Sequence, residues 1–216
     1  MSMIATLAAH HHKKEILVFR DTFTDVDQTP LENHTPDYAV SPADSMWTVN
    51  NITYTGYTGR AIIVNNKLFN AQTAYGANSE VSINTRLPKH HLKTEVIFTE
   101  GFGVVTLVLG VDAIQVVFLG ASSTAYLRKT VNISTTPVYT TLATYSLSVT
   151  HGEWIGVDAY RDGTAVQCKI TKIATGASET LSVNDPTLRL GGNVGATLDN
   201  WEGNYAVLEN FEVWRY

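Results

Sequence analysis

Apolar residues recur along this chain in short runs that either alternate with polar residues or are apolar throughout. Val166, Cys168 and Ile170 alternate with polar residues, which is typical of a strand with one face in a core. The runs 104–109 and 113–119 are almost entirely apolar and flank a short turn, so they predict a hairpin covered on both faces. No window keeps a 3.6-residue apolar period between helix caps. The pattern therefore predicts an all-β protein.

Turn signals separate the predicted strands at intervals of roughly 8–12 residues, which favours a two-sheet antiparallel jelly-roll sandwich. The first strand is predicted at Ile16–Phe23. Arg161-Asp162-Gly163 predicts a tight hairpin turn, because Asp-Gly accommodates the positive φ that such turns require. The composition does not change after residue 16. We therefore expect one β-sandwich domain over residues 16–216, preceded by an N-terminal arm at residues 1–15.

Composition and charge narrow the function classes. Charged residues make up 16% of the 216 residues and the net charge is −5, so no basic surface for nucleic acid or anionic lipid is expected. Cys168 is the single cysteine; it cannot form an intrachain disulfide and is predicted to be a small buried hydrophobe. Lys13 and Lys14 follow the first apolar stretch instead of preceding it, which argues against a signal peptide. We expect no membrane partner.

The N-terminal arm carries the cluster His10-His11-His12-Lys13-Lys14 and no pattern that ties it to a sheet. Chain ends are normally disordered unless something holds them. We expect this arm to contact a neighbouring subunit, and metal binding by its three histidines is the alternative.

Stretches at both ends of the domain resemble a known family. The opening Val18-Phe-Arg-Asp-Thr-Phe-Thr-Asp25 is similar to the start of laminin G-like, concanavalin A-like modules. Glu153–Gly163 is similar to their penultimate hairpin, and 208–214 is similar to their closing strand. The resemblance covers about residues 16–216 and implies a jelly roll.

The resemblance also implies how the two ends meet. In such folds the first and last strands pair, which would place Phe19 and Phe23 near Phe211 and Val213. Modules of this type occur in bacterial secreted proteins and in phage virion proteins, and they include glycan binders, glycosidases and structural appendages. Fold alone does not choose among these functions.

Motifs for catalysis are absent from the sequence. Glycosidases of this fold carry a Glu-x-Asp-x-x-Glu motif that supplies paired carboxylates, and the chain has none. Glu209 and Glu212 lie three residues apart on a predicted strand, so they are expected to face opposite sides. No Gly-x-Ser-x-Gly or His-Glu-x-x-His motif is present. We therefore expect a protein that is not an enzyme.

A polar loop near the C-terminus is the candidate glycan-binding site. Sugar rings stack on aromatic side chains while their hydroxyls pair with polar groups. Four residues of this loop combine the two: Trp201, Asp199, Asn200 and Tyr205. The alternative is that Trp201 packs over the edge of the sandwich. Trp47 and Trp154 lie within predicted strands and are expected in the core.

An acidic turn after the first strand is a candidate calcium site. Asp25 and Asp27 have the every-other-residue spacing that lets one loop offer several oxygens to Ca²⁺. Asp21 and Asn210 join them if the terminal strands pair. The alternative is a network of Asx turns that stabilises a surface loop. Calcium is thus a candidate ligand, and no cofactor is required.

The resemblance and the composition together favour a virion structural module, which is a capsid-, head-fibre- or tail-associated protein assembled in the host cytoplasm. Other virion subunits, reached through the arm, and further copies in a homo-oligomer are the expected partners. Adhesion to host glycans is compatible with this role. The alternative is a carbohydrate-binding module of an extracellular or cell-surface bacterial system.

Overall fold

The protein is built almost entirely from β-strands. The computed structural model describes residues 14–40, 46–51, 53–54, 57–71, 79–84, 87, 89–98, 102–109, 112–119, 122–131, 138–187, 193–198, 200–201 and 204–216. These residues form twenty strands and the 3-10 turn Leu31–Asn33, with no α-helix among them. Accordingly, no described segment is a helix that could cross a membrane. The predicted all-β class is confirmed.

The strands vary in length from two to twelve residues. In chain order they are β1 (Ile16–Asp21), β2 (Thr29–Pro30), β3 (Tyr38–Ala39), β4 (Thr48–Asn51), β5 (Thr53–Tyr54), β6 (Tyr57–Thr58), β7 (Ala61–Val64), β8 (Lys67–Asn70), β9 (Ser79–Asn84), β10 (Lys89–Phe98), β11 (Phe102–Leu109), β12 (Asp112–Leu119), β13 (Thr124–Val131), β14 (Val138–Thr144), β15 (Ile155–Asp162), β16 (Ala165–Lys172), β17 (Ser178–Asn184), β18 (Asn193–Leu198), β19 (Asn200–Trp201) and β20 (Asn204–Arg215).

Two large antiparallel sheets form the sandwich. The eleven-stranded sheet has the order β17-β16-β15-β10-β20-β8-β7-β2, with β1 and β19 also paired to β20, and β3 paired to β1. The seven-stranded sheet has the order β14-β13-β12-β11-β18-β9-β4, and β5 and β6 form a separate small hairpin. Neighbours such as β10 and β20 are far apart in sequence, so the fold depends on long-range pairing. This two-sheet arrangement confirms the predicted jelly-roll sandwich.

The core lies between the inward faces of the two sheets. In β15, Ile155, Val157 and Ala159 are buried while the residues between them are partly exposed, as the two-residue period of a strand requires. Cys168 is fully buried in the same core, which confirms its predicted role. Burying one such apolar side chain contributes about 1.5–3 kcal/mol.

The two tryptophans expected in the core, Trp47 and Trp154, differ in how deeply they are buried. Trp47 is buried, with its ring edge-on to Phe19 at 5.4 Å between centroids. Trp154 is only half-buried and lies just before β15, and the ammonium group of Lys67 sits 5.1 Å from its ring. The prediction for Trp47 is confirmed, and the prediction for Trp154 is wrong because Trp154 precedes the strand and its side chain stays partly exposed.

The first and last strands pair along their length, as the resemblance implied. Phe19 lies opposite Val213 in the register, and the rings of Phe19 and Phe211 are 6.2 Å apart. Strand β1 ends at Asp21, two residues earlier than predicted. The reason is Phe23, whose φ of 55° is incompatible with a continuing strand and turns its ring into the core.

A β-bulge in β20 changes which residues share a face. Lys93 pairs with Glu212 and Glu95 pairs with Glu209, so two residues of β20 lie opposite the single residue Thr94 of β10. The extra residue is Asn210, whose φ is 51°. Because the bulge adds one residue between them, Glu209 and Glu212 both point to the outward face of the sheet. The expectation that Glu209 and Glu212 face opposite sides is therefore wrong.

Candidate functional site

The face of the eleven-stranded sheet that points away from the core, called here the outer face, carries a row of alternating charges. The strand registers place five side chains in line across β1, β20, β10, β15 and β16: Arg20, Glu212, Lys93, Asp158 and Lys169. Directly opposed residues of opposite charge stabilise a sheet modestly. Because no two neighbours in this charge row have the same sign, the row offers both donors and acceptors to a ligand.

The first part of the charge row is tied together by direct contacts. Nε of Arg20 donates to Oε1 of Glu212 at 2.7 Å, and Nε1 of Trp214 donates to Oε2 of Glu212 at 3.2 Å. The ammonium group of Lys93 lies 5.7 Å from the Trp214 ring, within the range of a cation–π interaction. These contacts hold the long side chains in defined positions.

A row of aromatic rings runs parallel to the charge row, two residues away from it on each of the three strands β20, β10 and β15. Trp214 pairs with His91 and His91 pairs with Tyr160 in the register. The rings of His91 and Tyr160 are stacked, with centroids 3.8 Å apart and an angle of 19° between their planes. The ring of Tyr216 lies 6.1 Å from that of Tyr160. Because His91 is buried, the accessible aromatic surface beside the charges comes from the partly exposed Tyr160, Trp214 and Tyr216.

His91 contacts a carboxylate through each of its ring nitrogens. One of these carboxylates, Asp158, belongs to the charge row, so His91 connects the aromatic row to the charge row. Its Nε2 is 2.6 Å from Oδ1 of Asp158, and its Nδ1 is 2.9 Å from Oε1 of Glu15. Burial by itself raises the pKa of Asp158, but the hydrogen bond from His91 and the nearby cations outweigh it and lower that pKa. Asp158 is therefore ionised at neutral pH and accepts hydrogen bonds only.

Two adjoining cavities open on the outer face. One has a volume of about 410 Å³ and includes Arg20, Lys93, Glu95, Asp158, Asn210 and Glu212 in its lining. The other has a volume of about 430 Å³ and is lined by Asp158, Tyr160, Gln167, Lys169 and Thr180. Asp158 belongs to both, so we describe them as one groove that crosses the strands.

Gly156 provides part of the floor of the groove. It lies opposite Glu95 and Thr171 in the register, and it exposes backbone where its neighbours on the outer face present side chains. A Cβ added there would come within 3.2 Å of Cδ1 of Ile173. The missing side chain therefore deepens the groove beside the charge row.

The predicted glycan loop forms a short hairpin. Asn200 pairs with Tyr205 and Trp201 pairs with Asn204, at the N-terminal end of β20. Three of the four predicted residues are thus brought together, and Asp199 lies outside the described residues. Asn210 is five positions after Tyr205 in β20, which is about 16 Å along a strand. This hairpin and the groove are therefore separate places, and the glycan role of the hairpin stays a prediction.

The predicted calcium residue Asp21 is fully buried and already accepts three hydrogen bonds. Its Oδ2 accepts from Nε1 of Trp47 at 2.6 Å. Its Oδ1 accepts from the backbone N–H of Phe23 at 2.7 Å and from Nε2 of His34 at 2.9 Å. Donors therefore surround both oxygens of this carboxylate.

His34 bridges Asp21 to a second predicted residue, Asp25. Nδ1 of His34 lies 2.9 Å from Oδ2 of Asp25. Burial by itself lowers the pKa of His34, but the hydrogen bonds to Asp21 and Asp25 outweigh it and raise that pKa. The hydrogen bond from His34 in turn lowers the pKa of Asp25. The His34 ring thus occupies the space between the two carboxylates, with one ring nitrogen facing each of them.

The other two predicted calcium residues lie apart from this pair. Asp27 accepts a hydrogen bond from the backbone N–H of Asn65 at 2.8 Å. Asn210 is exposed at the bulge and lines the groove. The described part of the chain contains no group of three or more His, Cys, Asp or Glu side chains suited to a metal ion. Calcium at these positions stays a prediction.

The groove was not found by reasoning on the sequence. Its signal was present, since Lys93 and Glu95 alternate with buried residues in β10, as Asp158 and Tyr160 do in β15. Alternation shows that such residues face outward, but it does not show which strands are neighbours. The line of charges exists only because the register aligns strands that are distant in sequence.

Comparison with known proteins identifies the fold. No protein-family model matches the chain, and no curated protein sequence matches it. The solved structures similar to it include the CBM2 module of the evolved Dit of Lactobacillus casei BL23 phage J-1. That module shares 11% identity with this chain at a TM-score of 0.57, over 94% of this chain and 96% of the module.

Two further structures have the same fold. The exoplasmic/lumenal domain of VIP36 in its Ca²⁺/Man3GlcNAc-bound form gives a TM-score of 0.56 at 10% identity, over 79% of this chain and 85% of that one. The carbohydrate-binding module CBM66 from Bacillus subtilis gives a TM-score of 0.53 at 10% identity, over 76% and 92%. The chain therefore has a lectin-like jelly-roll fold of the concanavalin A type.

Proposed function

Starting from this concanavalin A-like fold, we propose that the protein is a non-enzymatic carbohydrate-binding module and that it serves as a structural component of a virion. Three observations support glycan binding: a groove, a row of aromatic rings and a parallel row of charges on one face. The phage Dit module supports the virion role by its similarity over nearly the whole length of both chains.

The single observation that carries the proposal is the adjacency of Tyr160 and Asp158 in the groove. Sugar rings stack their C–H faces on aromatic surface, and their hydroxyls require fixed donors and acceptors beside it. Tyr160 supplies the ring, Asp158 supplies an ionised acceptor, and Lys93 and Lys169 supply donors on the neighbouring strands. The outer face thus meets both requirements within one cavity.

The states of Asp158 and Glu212, two of the three carboxylates that line the groove, favour binding over hydrolysis. Glycoside hydrolysis requires one carboxylic acid that stays protonated until it donates to the leaving oxygen. Asp158 is held ionised by His91, and Glu212 is paired with Arg20. Neither is suited to donate a proton to a sugar.

A glycan array tests the proposal. We expect the wild-type protein to bind a set of glycans and Tyr160→Ala to lose most of that binding. Tyr38→Ala is the matched control, because Tyr38 is an exposed tyrosine on β3 and does not line the groove. Trp201→Ala tests the C-terminal hairpin in the same assay. Loss of binding in Trp201→Ala alone would move the site to that hairpin, and no binding by the wild type would overturn the proposal.

The virion role has a separate test. Mass spectrometry of purified particles from the source should find this chain with capsid or tail proteins. Removal of residues 1–13 should weaken its incorporation, because we propose the arm as its contact with neighbouring subunits. Light scattering should show a homo-oligomer. A monomer that is absent from particles but binds glycans would instead favour the extracellular alternative.

A further inference from the structure

The outward face of the seven-stranded sheet, on the other side of the molecule, holds a partly buried cation. Arg128 lies on β13, where Ala125 and Leu127 point into the core and Arg128 points away from it. Its direct neighbours in the register are Gln115 on β12 and Thr141 on β14. The guanidinium is therefore flanked by strands on both sides.

The position of the Arg128 side chain is fixed by contacts. Its Nε donates to Oε1 of Gln115 at 2.9 Å, and the hydroxyl of Thr130 donates to the same oxygen at 2.9 Å. Gln115 and Thr130 are both buried. The guanidinium carbon lies 4.5 Å from the ring centroid of Tyr139. The guanidinium also makes a side-chain hydrogen bond with Tyr126. Together these contacts orient its terminal nitrogens, which carry four N–H groups between them.

The charge of Arg128 has no carboxylate partner among the described residues. Other cations of the chain do have one; for example, Arg20 pairs with Glu212 and Lys129 pairs with Asp185. Burial lowers the pKa of Arg128, yet a guanidinium stays protonated in proteins at neutral pH. Keeping a charge partly buried without a counter-ion costs free energy, and a bound anion recovers it.

The surroundings of Arg128 show what kind of anion can reach it. The ring that covers the guanidinium belongs to Tyr139, which is 58% exposed. A ligand can therefore approach the guanidinium from solvent across this ring. The terminal nitrogens of a guanidinium match the two oxygens of a planar carboxylate. A ligand that pairs with the guanidinium and also packs on the Tyr139 ring carries a carboxylate on a ring with apolar C–H faces.

We propose that Arg128 and Tyr139 form a second binding site, which takes the carboxylate of an acidic sugar. This inference rests on the proposed glycan-binding function and adds a substrate class to it. The carboxylate receives two hydrogen bonds from the guanidinium, and the sugar ring packs against the exposed ring of Tyr139. The site lies on the sheet opposite the groove, so the two can be removed independently.

Calorimetric titration with trigalacturonic acid and with its methyl ester tests this site. The two probes have the same sugar rings and differ in charge. We expect the wild-type protein to bind the acid about 10- to 100-fold more tightly, the range for hydrogen bonds to a charged group. Raising the salt concentration should reduce that preference. Equal affinity for the two probes would overturn the inference.

Substitutions assign the preference to Arg128. Arg128→Gln should abolish it, and Arg128→Lys, which keeps the charge but not the paired donors, should retain a small part of it. Arg60→Gln is the matched control, because Arg60 is exposed on another part of the chain.

Melting temperatures show whether each variant is folded. If Arg128→Gln does not fold, Tyr139→Leu, which changes an exposed residue, should still reduce the preference by severalfold. An unchanged preference in folded Arg128→Gln, or in Tyr139→Leu, contradicts the inference.

The same measurements separate this inference from the proposed function. If the wild type binds neutral glycans through Tyr160 but does not prefer the acid, the proposed function stands and the Arg128 site does not. If the acid preference depends on Arg128 and Tyr160→Ala retains it, the inference stands independently of the groove. If neither probe nor any neutral glycan binds, both are overturned.

Discussion

Asp21 and His34 form a buried pair in which Oδ1 of Asp21 lies 2.9 Å from Nε2 of His34, with the two side chains 0% and 1% exposed. Trp47 donates to the other oxygen of Asp21. The pair joins the end of β1 to the segment that follows the 3-10 turn, and it ties both to a core tryptophan. This network therefore organises the region where the first strand leaves the sheet.

Asp21→Asn should destabilise the protein strongly. The substitution leaves His34 with only the partly exposed Asp25 as a counter-ion, and breaking a buried ion pair typically costs about 3–5 kcal/mol. Urea unfolding measures the change. Asp27→Asn is the control, because Asp27 is exposed and the amide oxygen can still accept from Asn65, so its effect should stay within about 0.5 kcal/mol. Equal effects of the two substitutions would contradict the role of the pair.

Stability should depend on pH through His34. Its pKa is raised in the folded protein, so the stabilisation from the protonated ring is complete below about pH 6.5, the unfolded value. That stabilisation is lost as the pH rises through the higher folded-state pKa. The difference in melting temperature between the wild type and His34→Gln should therefore shrink from pH 6 to pH 9. His151→Gln, at an exposed histidine, should show no such trend, and a pH-independent difference for His34→Gln would refute the prediction.

Removing calcium should leave the melting temperature unchanged. A Ca²⁺ ion at Asp21, Asp25, Asp27 and Asn210 would have to displace the N–H donors that surround Asp21. Thermal unfolding in EGTA, compared with unfolding in excess CaCl₂, is the measurement. A fall in melting temperature in EGTA that Asp27→Asn abolishes would establish calcium at the predicted turn.

Cys168 should not react in the native protein. Burial raises the pKa of its thiol to about 12, and the thiolate is the reactive form. Iodoacetamide at pH 8 should therefore leave the folded protein unmodified and alkylate one site once urea unfolds it, as mass spectrometry would show. Rapid alkylation of the folded protein would mean that β16 opens readily.

The bulge at Asn210 should tolerate glycine but not valine. The left-handed φ of 51° is costly for a β-branched residue, by about 1–2 kcal/mol or more, and easy for glycine. Chemical denaturation should thus rank Asn210→Gly close to the wild type and Asn210→Val clearly below it. If valine is tolerated equally well, the bulge is not constrained by its backbone.

The sequence was sufficient for features that depend on local alternation or on a family resemblance. The burial of Cys168 and the pairing of Phe19 with Val213 were both predicted and both confirmed. The bulge at Asn210 was missed because one inserted residue leaves no mark in the apolar pattern. The bulge places Glu209 and Glu212 on the same face of the sheet, where opposite faces were predicted, because one inserted residue shifts the alternation of the residues beyond it.

The contacts within the candidate sites required the three-dimensional register. The partners of His91, Glu15 and Asp158, lie 76 and 67 residues away along the chain, and no spacing rule connects such positions. The same holds for the pairing of His34 with Asp21 around a turn. Side-chain networks of this kind arise from tertiary packing, which a single sequence specifies only indirectly.

The pairing of Ile16 with Arg215 has a consequence for how this domain can be carried. Opposed residues in antiparallel strands have Cα atoms about 4.5–5.5 Å apart, so the polypeptide enters and leaves the sandwich at nearly one point. A larger protein could therefore accept the whole domain as an insertion between two adjacent surface residues, with little displacement of its own backbone. Such an attachment at a single point would let one scaffold exchange whole domains of this fold while its remaining architecture stays the same.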